Sequence, residues 1–450
     1  MFFEIEASEK IAVQKATASY TYADLVADAA QLVSMLQLPQ KAVVGIVCRN
    51  DYKTIVHYVA ALQAGHAVML LNDELEEGVL NNIVAHYAPA FLLGAVAHDA
   101  YEEITEQFWK KRHVPTYEVH EDLALMLSTS GTTGSPKYVR LSYKNIQANA
   151  QSIVEYLEIT GEDRPVIHLP LSYSYGISIV NSHLQVGATM LLTSKSVKLP
   201  SFWYFLNEFK GTSIAGVPFT YQQLNRLGFT DMELPSLRVM TQAGGHLDAY
   251  LVDKMNQYAM NHGKRFYVMY GQTEASPRIA YVPYDRLADK IGTIGIPVPG
   301  GRFELAENGE LIYYGKNVMM GYATAASDLA KGDEYGGRLA TGDVATIDDE
   351  GYATLIGRLK SFVKIKGLRI NLHDVEKTIA EKFGVTVACV GNDDKIVAIV
   401  VAGDAPRVQQ FLMQRYKLQD VYIDVHCVEE LPHLHTGKLD YKKMQHDYLT

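Results

Sequence analysis

The feature that most constrains the fold is an alternation of apolar runs with a helical segment near the start of the chain. AVVGIVCR (42–49) and HAVMLLN (66–72) are short, continuous apolar runs, and DYKTIVHYVAALQAG (51–65) between them has helical spacing and ends at a glycine. Such runs are typical of buried parallel strands, and a parallel pair needs a long crossover connection, usually a helix. The stretch therefore predicts a βαβ unit.

The same alternation recurs further along the chain. We predict a helix at SFWYFLNEF (201–209), strands at TSIAGVP (212–218) and LRVMTQAGG (237–245), and another helix beginning near Asp248. Repeated strand–helix alternation favours the α/β class. We therefore expect a large N-terminal domain of mostly parallel sheets covered by helices.

The character of the sequence changes after Arg358. FVKIKGLRI, DVEKTIAEKF, TVACVG, KIVAIVVAG, PRVQQFLMQRY and VYIDVHCV predict, in turn, a strand, a helix, two strands, a helix and a strand. We interpret residues 1–358 as one domain and residues 359–450 as a small α+β C-terminal domain, with GRLKS (357–361) as the hinge between them.

Composition excludes several classes of protein. The 41 basic residues are scattered among 51 acidic ones, which argues against a nucleic-acid surface. The amino-terminal MFFEIEASEK lacks the positive charge and long apolar run of a secretory signal. No apolar stretch approaches the roughly 18–20 residues that span a bilayer. Cys48, Cys389 and Cys427 form no CxxC pair and no metal spacing, and Cys48 is expected in the core. These observations predict a cytoplasmic protein of two or more domains.

The stretch LSTSGTTGSPKYVRL (127–141) is dense in hydroxyls and glycines and contains a lysine. Hydroxyl side chains, together with backbone N–H groups that Gly131 and Gly134 allow to turn inward, suit phosphate oxygens. The stretch is not a Walker A loop, because that pattern needs GxxxxGK followed by Ser or Thr, and here a proline precedes Lys137 and a tyrosine follows it. A phosphate-binding loop outside the P-loop class is one interpretation, and an ordinary polar surface turn is the other.

The loop closely resembles the phosphate-binding signature of the ANL superfamily of adenylate-forming enzymes, which includes acyl- and aryl-CoA synthetases. Further segments resemble motifs of that superfamily, in its order and over nearly the whole chain: TYADL (21–25), the run through AALQAGHAVMLLN, QAGGHL (242–247), YGQTEAS (270–276), GELIYYGKNVMMGY (309–322), RLATGDVATIDDEGY (338–352), GRLKSFVKIKGLRINLHDVE (357–376) and LPHLHTGKLD (431–440). Each match alone is weak, but their shared order argues against chance.

The resemblance implies a reaction in two steps. A carboxylate first attacks the α-phosphorus of ATP, which gives an acyl-adenylate and releases pyrophosphate, and the acyl group then passes to a thiol. Because both first reactants are anions, the site must supply cations and fixed dipoles. The implied cofactors are ATP and Mg²⁺, with coenzyme A as the favoured thiol acceptor. Loading of an acyl or amino acid onto the phosphopantetheine arm of a carrier protein is the alternative.

The resemblance also assigns catalytic roles. Thr273 would bond the α-phosphate, Glu274 would hold Mg²⁺, and Lys438 would reach from the small domain to the carboxylate and α-phosphate oxygens. The alternatives are a solvated loop carboxylate for Glu274 and a solvated lysine for Lys438. The residues expected to hold the β- and γ-phosphates are Thr129, Ser130, Gly131, Thr132, Thr133, Gly134 and Lys137.

Other residues are expected to bind the nucleoside. By resemblance Tyr270 would stack on adenine, and the remaining residues of this set are Gly271, Gly244 and Gly245 for the adenine and Asp343 and Arg358 for the ribose. The acidic pair in DDEGY (348–352) has the composition of a hairpin turn and is expected to be no more than that.

The segment LPLSYSYGISIVNSHL (169–184) resembles the part of the superfamily that lines the acyl pocket. Amino-acid-activating members carry an aspartate where Tyr173 stands here, and a buried substrate ammonium without that partner is costly. The expected substrate is therefore an aromatic or fatty acid rather than an α-amino acid, with Tyr173 and Gly176 as substrate-binding residues. His168 and His183 are expected to be structural.

The resemblance further implies a mobile small domain. Rotation about Lys360 would withdraw Lys438 after adenylation and admit the thiol. Two rival classes remain. A relative that has lost its chemistry has no physical need to keep Thr273, Glu274 and Asp343 together with that lysine. A nucleotide-hydrolysing enzyme predicts release of the γ-phosphate instead of pyrophosphate.

Overall fold

The computed structural model describes residues 1–94, 99–113, 117–128, 137–359, 362–434 and 439–449. The chain forms two compact units, the first of Met1–Arg302 and Tyr313–Leu339, the second of Phe303–Ile312 and Ala340–Thr450. The second unit starts before the boundary expected at 358/359 because the strands ahead of it pack with the C-terminal residues; for example, Asn371 Nδ2 donates to the carbonyl of Ile356 at 2.9 Å. Packing does not define which residues move together, so the boundary and the hinge remain predictions.

The helices of the first unit are α1 (Tyr22–Met35), α2 (Tyr52–Gln63), α3 (Glu77–Tyr87), α4 (Tyr143–Leu157), α5 (Ser174–Leu184), α6 (Pro200–Glu208), α7 (Pro218–Arg226) and α8 (Ala249–Asn261). Those of the second unit are α9 (Leu372–Phe383), α10 (Ala405–Tyr416) and α11 (Tyr441–Leu449). Among the described residues, no helix combines the length and apolarity needed to cross a bilayer.

The first unit contains two large sheets. One has the order β16 (Ile296–Pro297), β15 (Ala280–Val282), β14 (Arg265–Tyr270), β13 (Val239–Gln242), β12 (Ser213–Gly216), β10 (Pro165–Ile167), β11 (Met190–Leu192), β1 (Ile11–Gln14), β2 (Ser19–Thr21). The other has the order β19 (Gly321–Ala323), β9 (Tyr138–Ser142), β8 (Leu123–Ser128), β4 (Ala67–Asn72), β3 (Val43–Cys48), β5 (Phe91–Leu93), β7 (Phe108–Lys111), β6 (Tyr101–Thr105). The strands from β14 to β1 run parallel, as do those from β8 to β5.

The βαβ unit expected near the start of the chain is confirmed. β3 and β4 pair in parallel, and α2 crosses between them. Asp51 caps α2 by accepting a hydrogen bond from the backbone N–H of Thr54 at 2.9 Å, and the helix ends before Gly65, whose φ is +77°. Cys48 is buried, as expected. The predicted α/β class, with a large N-terminal and a small C-terminal region, is likewise confirmed.

The core of the first unit fills the space between the two sheets. Ile46 and Leu70 of one sheet and Ile167 and Met190 of the other belong to a single buried apolar cluster with residues of α1, α2, α4 and α5. Since β13 and β14 are parallel neighbours, their carboxyl ends lie at the same edge of their sheet. The connections that follow these two strands therefore leave side by side, which is the usual place for a ligand in such sheets.

The second unit holds most of a four-stranded sheet and two smaller sheets. Their strands are β17 (Arg302–Leu305), β18 (Glu310–Tyr314), β20 (Arg338–Ile347) and β21 (Ala353–Arg358); the hairpin β22 (Phe362–Ile365) and β23 (Leu368–Asn371); and β24 (Val387–Gly391), β25 (Ile396–Val401) and β26 (Ile423–Val428).

The prediction of one strand at FVKIKGLRI is wrong, because this stretch forms the hairpin of β22 and β23. Lys366 and Gly367 both have positive φ, at +50° and +80°. Two successive left-handed residues match the right-handed twist of a tight antiparallel pair. The apolar alternation on either side of the turn resembles one continuous strand in the sequence, while Val363 and Ile370 are in fact paired across the hairpin.

The turn expected at DDEGY is confirmed and connects β20 with β21. The Asp348 side chain accepts hydrogen bonds from the backbone N–H groups of Glu350 at 3.0 Å and Tyr352 at 2.8 Å. An aspartate that bonds its own turn in this way has a structural role.

Candidate active site

The phosphate-binding loop predicted from the sequence joins two neighbouring antiparallel strands. β8 ends at Ser128, β9 begins at Tyr138, and these two residues lie opposite each other. Both ends of the loop are thus held at one edge of the sheet. The predicted phosphate ligands that lie outside the described residues are Thr129, Ser130, Gly131, Thr132, Thr133 and Gly134.

Lys137, Tyr322 and Glu274 come together from three segments distant in the chain. Tyr322 is brought to this place because β19 pairs with β9, with Tyr322 opposite Val139. The Lys137 ammonium lies 3.5 Å from the centre of the Tyr322 ring, and the Tyr322 phenol donates to Oε1 of Glu274 at 2.9 Å. Burial, and then the neighbouring Glu274, raise the pKa of Tyr322, so the phenol stays protonated and remains a donor.

Glu274 has one oriented and one available carboxylate oxygen. Tyr322 occupies Oε1, whereas Oε2 receives no hydrogen bond from any residue within the described ranges. A carboxylate oxygen presented in this way suits a hard divalent cation. Within the part of the chain that the structure describes, no cluster of three or more His, Cys, Asp or Glu residues forms a metal site.

Thr273 lies beside the amino-terminal end of α5. It begins the short 3₁₀ turn Thr273–Ala275 after β14, and its hydroxyl lies 3.3 Å from that of Ser174, the first residue of α5. In the described part of the chain, no side chain caps this end of α5. The first N–H groups of a helix and its dipole favour a negatively charged group. Ser174 was not predicted as a site residue, although it directly follows Tyr173 in the segment predicted to line the acyl pocket.

Glycines are required at two positions of the predicted adenine-binding set, Gly271 and Gly244. A side chain at Gly271 would place its Cβ 1.7 Å from the carbonyl oxygen of Pro277, and Gly244 has φ of +86°, so neither position accepts another residue without strain. Gln242 Nε2 donates to the carbonyl of Gly245 at 2.9 Å. The predicted adenine-binding residues thus lie on the two connections that follow the parallel strands β13 and β14.

The loop that follows β14 is held by Asn317. The amide nitrogen of Asn317 donates to the carbonyls of Ala275 at 2.7 Å and Arg278 at 2.6 Å. Ser276 Oγ donates to the carbonyl of Asn317 at 2.7 Å, and the Tyr313 phenol donates to Asn317 Oδ1 at 2.8 Å. These bonds fix the backbone that carries Thr273 and Glu274. Asn317 belongs to GELIYYGKNVMMGY (309–322), one of the segments that resemble superfamily motifs, but no pattern in the sequence assigns it this role.

The two predicted ribose-binding residues are partners within the second unit. Asp343 and Arg358 lie opposite each other on β20 and β21, and Arg358 Nε donates to Asp343 Oδ1 at 3.0 Å. The Asp343 side chain is 3% exposed and that of Arg358 is 69% exposed. The buried carboxylate is oriented by a cation that largely remains in solvent.

A cavity lies between the sheet of β12, β13 and β14 and the helices α4 and α5. Its wall includes Leu157, Tyr175, Ser178, Thr241, Met269 and Arg278. The predicted substrate residues Tyr173 and Gly176 are not part of this wall: the Tyr173 ring packs edge-on against Tyr175 at 6.2 Å, and a Cβ at Gly176 would meet the carbonyl oxygen of Pro170 at 2.2 Å. Their contact with substrate remains a prediction.

The two histidines near the cavity have structural hydrogen bonds. His168 donates to the carbonyl of Ala215 at 2.7 Å and His183 to that of Ile179 at 2.8 Å. Burial lowers the pKa of both, that of His183 to about 4, so His183 is neutral at pH 7.

The predicted catalytic Lys438 and hinge Lys360 lie outside the described residues. On either side of the Lys438 segment, His433 and Leu439 form a β-bridge, and the backbone N–H of Asp440 donates to the carbonyl of Pro432 at 2.9 Å. The described residues that flank the segment are therefore close together.

Comparisons with known proteins identify the family. A sequence model of the AMP-binding enzyme family matches residues 6–323, and this chain belongs to that family. The predicted resemblance to adenylate-forming enzymes is thereby confirmed.

Individual relatives have low sequence identity to this chain, but the similarity extends over most of its length. A long-chain-fatty-acid–CoA ligase of Yersinia pestis is 27% identical over 90% of this chain and 76% of its own length. A 2-succinylbenzoate–CoA ligase of Staphylococcus epidermidis is 26% identical over 98% of this chain and 95% of its own length. The solved o-succinylbenzoate CoA synthetase of Bacillus subtilis, in complex with its acyl-adenylate intermediate, has the same fold. Its TM-score is 0.78 at 22% identity, over 97% of this chain and 95% of that one.

Proposed function

We propose that this protein is an AMP-forming acid–thiol ligase. It joins a carboxylic acid to the α-phosphate of ATP, releases pyrophosphate, and transfers the acyl group to the thiol of coenzyme A. The chain belongs to the AMP-binding family. The observation that carries the proposal is that Tyr322 contacts both Lys137 and Glu274 where the phosphate-binding loop ends.

In this proposal, different residues of the described site bind different parts of the triphosphate. The Thr273 and Ser174 hydroxyls, 3.3 Å apart at the uncapped start of α5, provide donors for an α-phosphate that gains charge as it is attacked. Tyr322 holds one oxygen of Glu274 and leaves the other for Mg²⁺. When bound, Mg²⁺ supplies positive charge to the phosphate oxygens. In this proposal Lys438 adds a cation at the reacting carboxylate, and Lys360 is the hinge about which the small domain turns.

The names of the relatives guide our proposal for the class of acid and for the thiol acceptor. Three of the relatives are named long-chain-fatty-acid–CoA ligase, feruloyl-CoA synthase and 2-succinylbenzoate–CoA ligase. An aliphatic or aromatic acid with coenzyme A as acceptor is therefore our proposal for this chain, and a carrier protein is the acceptor to compare with it. We also place the protein in the cytoplasm, where the unpaired Cys48, Cys389 and Cys427 would stay reduced.

The test is a product assay with ATP, Mg²⁺ and a panel of carboxylic acids. Acid-dependent formation of AMP and pyrophosphate supports the proposal, and ADP with phosphate contradicts it. Glu274→Gln should lower the rate by about 100-fold or more, while Glu208→Gln, an exposed change on α6, should not. Lys438→Ala should lower the rate by roughly two to three decades with ATP binding retained, against Lys442→Ala as its control. Coenzyme A and a phosphopantetheinylated carrier protein are then compared as acceptors.

A further inference from the structure

The cavity beneath α5 contains a buried arginine without a counter-ion. Arg278 lies in the connection between β14 and β15, is 3% exposed, and contributes to the cavity wall. Within the described part of the chain, its Nε has no hydrogen-bond partner and no carboxylate forms an ion pair with it. A guanidinium is always charged, so burial without a counter-ion and with Nε unbonded is costly unless a ligand provides the negative charge and the acceptor for Nε.

Neither Asp163 nor Glu274 is a counter-ion of Arg278. Asp163 also lines the cavity, but its Oδ1 accepts from Arg238 at 2.6 Å and Thr212 at 3.0 Å, and its Oδ2 accepts from Thr160. Glu274 is held by the Tyr322 phenol.

Aromatic neighbours compensate only in part for the buried charge. The Arg278 guanidinium lies 4.3 Å from the centre of the Tyr175 ring. Burial raises the pKa of Tyr156 and of Tyr175, and the Arg278 charge opposes both shifts; for Tyr156 a side-chain hydrogen bond with Arg278 opposes the shift as well, so the phenol of Tyr156 is one acceptor for the guanidinium. A cation–π contact is weaker than a paired carboxylate and provides no hydrogen-bond acceptor in the guanidinium plane.

The other polar groups of the cavity cannot take the place of Arg278. His183 is neutral at pH 7, since burial lowers its pKa to about 4. The Ser178 and Ser182 hydroxyls donate to the carbonyls of Tyr175 and Ile179 within α5. Among the described lining residues, Arg278 is thus the one cation at pH 7 that can meet an anion.

We infer that Arg278 binds a second carboxylate on the substrate, so that the acid activated by this enzyme is a dicarboxylic acid. The inference rests on the proposed function, in which the reacting carboxylate lies near Thr273. An acid extending from there past Tyr175 would bring its other carboxylate to the planar guanidinium, which matches it in two parallel hydrogen bonds. The open space in the cavity is about 30 Å³, which is room for a small group such as a carboxylate, so only the end of the acid that carries the second carboxylate would enter it.

The test compares acids of equal chain length with and without the second carboxylate: succinate with butyrate, adipate with hexanoate, and isophthalate with benzoate. We expect a higher kcat/KM for AMP formation with the diacid in at least one pair, by about 10-fold or more. Arg278→Met should lower that preference by about 10- to 100-fold, as expected for losing a charge-assisted hydrogen-bond pair. Arg265→Met is the matched control, because Arg265 pairs with Glu158 at the surface of the same sheet, and it should leave the preference unchanged.

Two results would overturn the inference. One is a native enzyme that prefers the diacid in none of the pairs, which decides the question even if Arg278→Met fails to fold. The other is an equal loss for monoacid and diacid in Arg278→Met, which would assign the arginine to the reacting carboxylate. Arg278→Lys, which keeps the charge but not the planar fork, should retain part of the diacid preference.

Calorimetric titration separates failure of the inference from failure of the proposed function. If no acid yields AMP, the proposed function fails. Succinate or adipate that binds the native protein and not Arg278→Met would still support the anion site in that case. Equal binding by both proteins would remove it.

Discussion

The Tyr322 phenol donates a hydrogen bond to Glu274 at 2.9 Å, although the two residues are 48 positions apart in the chain. The same tyrosine ring lies under the Lys137 ammonium. One side chain thus orients both the proposed magnesium ligand and the lysine at the end of the phosphate-binding loop. Residues that orient a metal ligand in this way influence metal affinity without touching the metal.

Tyr322→Phe should raise the Mg²⁺ concentration needed for half-maximal rate by about 10-fold. The change removes the hydrogen bond to Glu274 and keeps the ring beneath Lys137, so the carboxylate loses its orientation while the loop keeps its neighbour. Pyrophosphate release measured against Mg²⁺ concentration tests this. Tyr250→Phe, on the exposed side of α8, is the control and should not shift the curve. An unchanged Mg²⁺ requirement in Tyr322→Phe would show that the bond does not serve a metal ligand.

Arg140→Met should lower the free energy of unfolding by about 2–4 kcal/mol. The Arg140 side chain on β9 is fully buried, donates to the carbonyls of Tyr322 at 3.1 Å and of Lys331, and pairs with Glu334. Its loss removes the hydrogen bond that Arg140 donates to each of the two carbonyls and leaves Glu334 without this ion pair. Urea unfolding measures the effect, and Lys377→Met, which breaks an exposed pair with Glu381, should cost less than about 1 kcal/mol. Equal effects of the two changes would contradict the role assigned to Arg140.

The protein should lose stability as the pH falls from about 6.5 to 4, in part because of His183. Burial lowers the pKa of His183 in the folded state from 6.5 to about 4. Between these values the unfolded chain binds a proton that the folded chain does not, so acid favours unfolding. His183→Gln should remove about 2–3 kcal/mol of the stability difference between pH 7 and pH 4.5, as measured by urea unfolding at both values. A variant that loses as much stability as the native protein would show that His183 does not titrate in this way.

Asp343→Asn should raise the KM for ATP by about 10-fold, because a buried acceptor for the ribose hydroxyls is lost. The effect should disappear with 2′,3′-dideoxy-ATP, which lacks those hydroxyls. Steady-state rates with both nucleotides test this, with Asp349→Asn in the exposed β-turn as the control. If Asp343→Asn weakens both nucleotides equally, the carboxylate does not bind the ribose.

Sequence alone predicts those parts of the fold that depend on local patterns. The strand–helix–strand unit from β3 to β4 is recognisable because apolar runs, a helix cap and a terminal glycine lie in one short stretch. The hairpin of β22 and β23 was mistaken for one strand because its turn, Lys366–Gly367, has few of the usual turn residues. Local patterning cannot distinguish a continuous strand from two short strands that fold back on each other.

The site shows the same limit at longer range. Thr273 and Glu274 were predicted because a motif contains them, whereas the contact of Glu274 with Tyr322 depends on β19 pairing with β9, over 180 positions earlier in the chain. In the sequence, Arg278 comes shortly after the same motif, and nothing there distinguishes it from an ordinary loop cation. Its burial and its lack of a counter-ion arise only from the packing of α4 and α5 over the sheet.

The most direct test of the central claim uses an acid labelled with ¹⁸O in its carboxylate. If a carboxylate oxygen attacks the α-phosphorus of ATP, then transfer of the acyl group to coenzyme A must leave that oxygen on the phosphate of AMP. We predict one ¹⁸O atom in each AMP released, as measured by mass spectrometry. Unlabelled AMP, or ¹⁸O in the pyrophosphate, would contradict the account.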